Sequence, residues 1–153
     1  MTGRENKREN DLFFVCSVIE VMGRMTKNRR GFVVRTLGEK AIARLLDLAD
    51  VYHCEPVETV AADFIKQCAV PAGDFDNVAS CKYNVPTHFD IAKVYKRLIF
   101  TVAETQHLPL IAVFQQVYSS WISEKIDDYN SSMYFENPQY IHESYRAGET
   151  LKN

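Results

Sequence analysis

Histidine and cysteine side chains in the middle of the chain are the first candidates for chemistry: His53, Cys54, Cys68, Cys81 and His88. A cysteine paired with a histidine can act as a nucleophile, and both residue types bind zinc. Structural zinc sites, however, use paired ligands two to four residues apart, and this sequence has no such pairs. We therefore predict no metal and no cofactor, and a small enzyme with a cysteine–histidine site remains an alternative.

Sequence motifs that mark common enzyme families are also missing. The chain contains no Walker loop, no dinucleotide fingerprint, no H-E-x-x-H and no C-x-x-C. Acidic residues do cluster at Glu124, Asp127 and Asp128, but such a run is typical of a solvated helix end. We therefore expect a protein that is not an enzyme, because no set of residues has both the roles and the spacing that catalysis requires.

A basic stretch could bind nucleic acid. Residues 24–44 carry seven basic side chains and one acidic side chain, whereas residues 45–92 and 104–145 are strongly acidic. A short helix at Phe32–Leu37, a turn at Gly38 and a longer helix from Glu39 resemble a helix-turn-helix in outline. Glu39 and Ala41 offer little to base edges, so a DNA-binding regulator is an alternative rather than the leading interpretation. Its candidate residues are Lys27, Arg29, Arg30, Arg35, Lys40 and Arg44.

The carboxy-terminal segment combines acidic and aromatic side chains. Tyrosine gives a large contact area with a polar tip, which favours interfaces. An acidic, aromatic surface would suit a basic cleft on another protein, such as a toxin. Alternatively, these aromatics pack the segment onto the helical core. The predicted partner-binding residues are Asp127, Asp128, Tyr129, Tyr134, Phe135, Tyr140 and Tyr145.

The first helix is apolar on nearly every side. From Leu12 to Met22 only Ser17 and Glu20 are polar, so the helix is either central in the core or part of an interface. Burying all of its faces inside a small domain is difficult, which favours self-association. The predicted oligomer interface is formed by Phe13, Phe14, Val18 and Val21.

Helical periodicity defines the fold class. Thr87 and Asp90 form a capping box before an apolar stripe that runs to Val102, and Leu110–Ile126 carries a second stripe. We expect these two helices to form the core. Because no strand-length alternation occurs, the sequence predicts an all-α fold of six or seven helices. The other helices are predicted from Asn10 or Asp11, at Phe32–Leu37, Glu39–Tyr52 and Val57–Ala69, and from Pro138 to Gly148.

Length and composition fit one globular domain. The chain has 153 residues, 46% of them hydrophobic and 25% charged. We expect a single helical domain over residues 1–153, with residues 1–9 flexible and residues 127–153 either docked on the core or binding a partner. No apolar run reaches the length that a membrane helix needs, and the start lacks a signal-peptide pattern, so we expect a cytoplasmic protein.

Three short runs carry a family resemblance: Leu12–Glu20, Leu37-Gly38 and Leu48–His53. Together they resemble a family of small uncharacterised bacterial helical proteins found beside ADP-ribosyltransferase-like toxins. The resemblance covers residues 12–65, and the family has no established catalytic residues to transfer. It implies a binding role, antitoxin-like or regulatory. Our leading hypothesis is therefore a protein-interaction module of a toxin–antitoxin or defence operon, which binds another protein and possesses no membrane anchor.

Overall fold

The computed structural model describes residues 3–52 and 54–151, and within those residues the chain forms helices and turns without any strand. The all-α prediction is confirmed. Eight α-helices are present, more than the six or seven predicted, and seven of them have seven or more residues. The helices are α1 (Gly3–Thr26), α2 (Arg30–Asp47), α3 (Ala49–Tyr52), α4 (Val57–Gln67), α5 (His88–Gln106), α6 (Leu110–Tyr118), α7 (Trp121–Asp127) and α8 (Pro138–Ala147), with a short 3₁₀ turn, η1 (Met133–Phe135), before α8.

Helix α1 is the centre of the fold. It packs against α2, α3, α4 and α5, and its apolar side chains belong to the one contiguous core cluster. Leu12, Val15 and Ile19 are completely buried. An apolar helix with neighbours around it needs no further partner, because the surrounding helices already remove its faces from water. The helix also begins at Gly3, well before the predicted start at Asn10 or Asp11.

The predicted oligomer interface therefore lies mostly inside a single chain. Phe14, Val18 and Val21 are buried, and Phe13 is half-buried against the ring of Phe89 on α5, with ring centroids 5.9 Å apart. The expectation that Phe14, Val18 and Val21 would be exposed in one chain is wrong, whereas self-association itself stays a prediction. The physical reason is that α5 and α4 lie along α1 and cover the sides that a small domain was expected to leave open.

Gly38 bends α2 where the sequence predicts a turn, but the predicted helix Glu39–Tyr52 is interrupted at Leu48, so that α2 ends at Asp47 and α3 follows. The φ of 79° and ψ of 169° at Gly38 are non-helical, so the helix bends there. A positive φ is accessible to glycine without the steric cost that a Cβ would add. Only this one residue departs from helical geometry, whereas a helix-turn-helix has a turn of three or four residues. The resemblance to that DNA-binding motif is therefore not supported by the geometry.

Helix α5 begins as predicted. The Thr87 hydroxyl accepts a hydrogen bond from the backbone N–H of Asp90, and the Asp90 carboxylate accepts one from the N–H of Thr87, each at 3.0 Å. Buried residues Ile91, Leu98 and Val102 then point into the core. This capping box fixes the direction in which α5 leaves the preceding loop.

The predicted helix over Leu110–Ile126 is two helices, α6 and α7. Ser119 and Ser120 separate them, and Ser120 adopts an extended backbone with ψ of 169°. The Ser120 hydroxyl donates to the carbonyl of Val117 at 2.7 Å, a local bond that competes with the helical ladder. Trp121 consequently starts a new helix and is half-buried rather than central.

The carboxy-terminal helix α8 has the predicted ends. Pro138 occupies its first turn, and the Asn137 side chain accepts from the N–H of Gln139 at 2.8 Å. Gly148 ends the helix in a left-handed conformation with φ of 78°. Helix α8 packs against α5, which places the aromatic segment beside the first half of that helix. Among the residues that the structure describes, no helix is long and apolar enough to cross a membrane.

Candidate functional site

A groove with a volume of about 470 Å³ lies between α5 and the carboxy-terminal segment. We call it the α5–α8 groove. Its floor is apolar, since it includes Val94 and Leu98 from α5 and Ile141 from α8. The remaining lining residues are Asp90, Lys93, Arg97, Tyr134, Phe135, Glu136, Asn137 and Pro138.

Exposed aromatic side chains extend the apolar surface of the groove. Phe135 is 66% exposed and contacts Tyr134 edge-on, with ring centroids 5.0 Å apart. A large apolar side chain left in water at the rim of an apolar groove is typical of an interaction surface. The short η1 turn holds Phe135 outward, because its neighbour Met133 is buried and anchors the turn.

Charged groups line both walls of the groove. Lys93 and Arg97 lie on α5, are exposed, and form no ion pair or side-chain hydrogen bond within the described residues. Asp90 is engaged in the α5 capping box. On the opposite wall Glu136 likewise has no side-chain partner in the part of the chain that the structure covers. The groove therefore offers two free cations on one side and one free carboxylate on the other.

A second cluster of polar groups is fully buried, and it was not predicted. Arg30 and Glu20 form a two-pronged ion pair, with Nε–Oε1 at 3.0 Å and Nη2–Oε2 at 2.9 Å. Arg30 also donates to the Asn28 carbonyl at 2.8 Å, to Asn77 Oδ1 at 3.0 Å and to the Tyr129 hydroxyl at 3.2 Å. The Tyr129 hydroxyl in turn donates a short hydrogen bond to Glu20. These bonds tie α1, the start of α2, the loop at Asn77 and the segment after α7 together.

Electrostatics keep this ion pair charged. Burial alone would raise the pKa of Glu20, but the guanidinium groups of Arg30 and Arg24 hold it below its ordinary value. Arg24 donates to Glu20 Oε2 at 2.9 Å and to the Pro86 carbonyl at 2.7 Å. A buried pair with two-pronged geometry and its other hydrogen bonds satisfied is stable where it is and costly to disrupt.

Asp127 connects the ion pair to α5. Its Oδ2 accepts from the backbone N–H of Arg30 at 3.1 Å, which satisfies a free donor at the start of α2. Its Oδ1 accepts from the Tyr95 hydroxyl at 2.6 Å, and Tyr95 also bonds Ser123 Oγ at 2.8 Å. Burial raises the pKa of Asp127 to about 6, with the Arg30 charge acting in the opposite direction.

This buried cluster is a structural network rather than a reactive site. Its two carboxylates, Glu20 and Asp127, are 1% exposed and each accepts several hydrogen bonds. A substrate would have to displace protein donors to reach them. One signal in the sequence pointed here: Glu20 is the lone charged residue in an otherwise apolar helical stretch, and such a residue usually has a buried partner.

The predicted partner-binding residues separate into two groups. Tyr134 and Phe135 line the groove, Tyr140 and Tyr145 are half-buried, and Asp128 is exposed after α7. Asp127 and Tyr129, at 1% and 2% exposure, belong to the buried network, so the prediction that they lie on a binding surface is wrong. The reason is that Arg30 and Arg24 draw both side chains inward.

The predicted nucleic-acid-binding residues also lie in different environments. Arg30 is fully buried, so its proposed contact with a phosphate is wrong. The Lys27 Nζ atom lies 3.8 Å from the Asp76 Oδ2 atom. The Arg29 guanidinium stacks over the Phe75 ring, with its Cζ atom 4.4 Å from the ring centroid. Arg44 Nη2 donates to Gln67 at 2.8 Å. Arg35 and Lys40 are exposed on α2, so the nucleic-acid surface keeps fewer free cations than the sequence indicates.

Among the residues that the structure describes, the cysteines and histidines do not form a cluster that could bind a metal. Cys16 is buried, which raises its pKa to about 12, and Cys54 is exposed. Cys81 donates to the Tyr83 carbonyl at 3.4 Å. His53 lies outside the described residues. Over residues 3–52 and 54–151, no group of three or more histidine, cysteine or acidic side chains could hold a metal ion.

Comparison with known proteins does not assign the chain to a family. No protein-family model matches the chain, and neither the curated proteins nor the solved structures give a match.

Proposed function

We propose that this chain is a protein-binding module and that the α5–α8 groove takes up a segment of a partner protein. The observation that carries the proposal is Phe135, which is 66% exposed at the rim of an apolar groove of about 470 Å³. Burying a phenylalanine side chain stabilises by about 1.5–3 kcal/mol, so a partner that covered Phe135 would gain that contribution directly.

The form of the groove supports a peptide segment as the ligand. One wall is helix α5 and the other is the η1 turn with the start of α8, and its floor consists of aliphatic side chains; an apolar groove of this kind can receive the apolar side of a partner helix. Aromatic residues such as Tyr134 and Phe135 are enriched at the centres of protein interfaces. The resemblance of residues 12–65 to proteins encoded beside toxins makes a toxin-like protein of the same operon the partner that we propose.

The chemistry of that partner differs from the basic cleft expected from the sequence. The expected acidic surface loses Asp127 to the buried network, and the free charges on the α5 wall are the cations Lys93 and Arg97. We therefore propose that the segment that enters the groove is apolar with acidic side chains.

A site-specific cross-linking experiment tests the proposal. A photoreactive phenylalanine analogue at position 135, in the full chain and in extracts of the cells that produce it, should trap one partner. Unlabelled wild-type chain should suppress the product. The matched control is Val51 on α3, which is 65% exposed and lines no part of the groove.

The purified partner then gives the quantitative test. Phe135→Asp should weaken its affinity by about tenfold or more, as loss of a buried aromatic contact does, while Val51→Asp should leave it unchanged. Both variants should unfold within about 0.5 kcal/mol of the wild type, because both positions are exposed. Equal affinity of the two variants for the partner would contradict the proposal.

A further inference from the structure

Two parallel rows of side chains run along the α5 wall of the groove. Lys93 and Arg97 form a charged row, and Val94 and Leu98 form an apolar row beside it. Residues four apart on a helix lie about 6 Å from each other along one face. The wall therefore presents two cations one turn apart, adjacent to two aliphatic side chains one turn apart.

The opposite wall has different chemistry. It presents the rings of Tyr134 and Phe135 and the carboxylate of Glu136. Asp90, at the end of the α5 wall, is held by the N–H of Thr87 and so is already bonded. A segment that lies in the groove consequently meets cations on one side and an anion on the other.

We infer that the partner segment is an amphipathic helix with two acidic side chains one turn apart along one edge of its apolar stripe. This inference rests on the proposed function and names the chemistry of the ligand. The apolar stripe would cover Val94 and Phe135, since Leu98 is already only 3% exposed, and the acidic edge would face Lys93 and Arg97. An amphipathic helix carries such an edge directly beside an apolar stripe on one continuous face, which matches the charged and apolar side chains lying side by side on α5.

The net charge of the chain does not explain a preference for an acidic ligand. The chain has a formal net charge of −2, so its overall field disfavours an acidic ligand. A preference for an acidic helix must therefore arise from local cations. Lys93 and Arg97 provide them, since neither is neutralised by another described side chain.

Two designed peptides test this inference. Each is a four-turn amphipathic helix with the same leucine stripe, and its edge carries glutamates in one peptide and lysines in the other. Fluorescence anisotropy with the full-length chain should give an affinity for the glutamate peptide about tenfold or more above that for the lysine peptide. The charge-reversal variant Lys93→Glu/Arg97→Glu should reverse this order.

A matched variant controls for overall charge. Lys40→Glu/Arg44→Glu makes the same change in charge at the same spacing on α2, away from the groove, and should keep the wild-type preference. Added salt should reduce the preference for the glutamate peptide, because exposed charges are screened. Loss of the preference in the α2 variant, or its retention in the α5 variant, would overturn the inference.

The remaining outcomes show whether the inference fails alone or together with the proposed function. If both peptides bind equally and Phe135→Asp abolishes both, the groove is a docking site but the acidic edge is wrong. If neither peptide binds and the photoreactive residue at position 135 traps nothing, both proposals fail. Saturable binding of dodecanoate, with no binding of either peptide, would identify a small amphiphile as the ligand and overturn the inference.

Discussion

The buried ion pair gives the sharpest test of how this fold is held together. We predict that Arg30→Met lowers the free energy of unfolding by about 3 kcal/mol. The substitution keeps much of the side-chain volume but removes every hydrogen bond that the guanidinium donates, including the two-pronged bond to Glu20. Glu20, which is 1% exposed, then remains buried with Arg24 but without Arg30 as a cationic partner.

The magnitude follows from what remains around Glu20. Breaking a buried ion pair by removing one member costs about 3–5 kcal/mol, because the other charge is left uncompensated. Arg24 still donates to Glu20 Oε2 at 2.9 Å, and the Tyr129 hydroxyl still donates to the same carboxylate, so the cost should lie at the lower end. Domains of this size are stable by about 5–15 kcal/mol, so the variant should still fold.

Urea unfolding followed by the single tryptophan measures the effect. Arg35→Met is the control, because Arg35 is an exposed arginine on the same helix without a side-chain partner in the described chain, and its change should be within about 0.5 kcal/mol. The double variant Glu20→Met/Arg30→Met should recover part of the loss, since the fully buried carboxylate that loses its Arg30 partner in the single variant is also removed. A loss below about 1 kcal/mol for Arg30→Met, with an unchanged denaturant slope, would refute the reasoning.

Two further predictions concern stability. Thr87→Ala should lower the free energy of unfolding by about 1 kcal/mol through loss of the α5 cap, measured by the same urea titration; no change would contradict the role of the capping box. Burial raises the pKa of Asp127 to about 6, above the ordinary value of an aspartate, so the folded chain binds a proton there more tightly than the unfolded chain does. The wild type should therefore gain stability relative to Asp127→Asn as pH falls from about 7 to about 4, and a difference between the two that is constant across this range would contradict that pKa.

Helix positions and helix ends were predictable because their causes are local. The capping box at Thr87 and Asp90 and the left-handed Gly148 are both present as the sequence predicts. Each depends on residues within one or two turns, so a pattern along the chain is enough to identify it. The break at Ser119-Ser120 shows the limit of this reasoning, because the apolar stripe continues through it and only a hydroxyl–carbonyl bond signals the interruption.

Whether a particular side chain is buried or exposed was less predictable from the sequence. The apolar α1 could have been central or an interface, and the neighbours that decide between those outcomes, α4 and α5, are distant in sequence. The same holds for Arg30, Asp127 and Tyr129, which are buried although their residue types are typical of a protein surface. They are buried because each is satisfied by the others across nearly a hundred residues of chain, for example the Arg30 N–H with Asp127 Oδ2.

The sequence by itself determined the all-α class, the apolar stripes, most of the helix ends and the bend at Gly38, because propensity, capping and periodicity act between residues close along the chain. Only the tertiary structure decided which polar residues are enclosed and which aromatic residues remain exposed. Glu20 is paired with the buried Arg30 and the partly exposed Arg24, whereas Phe135 lies exposed at the rim of the groove with Lys93 and Arg97. The physical reason is that a buried charge is stable only where donors from several helices converge on it, and that convergence exists only after those helices have packed.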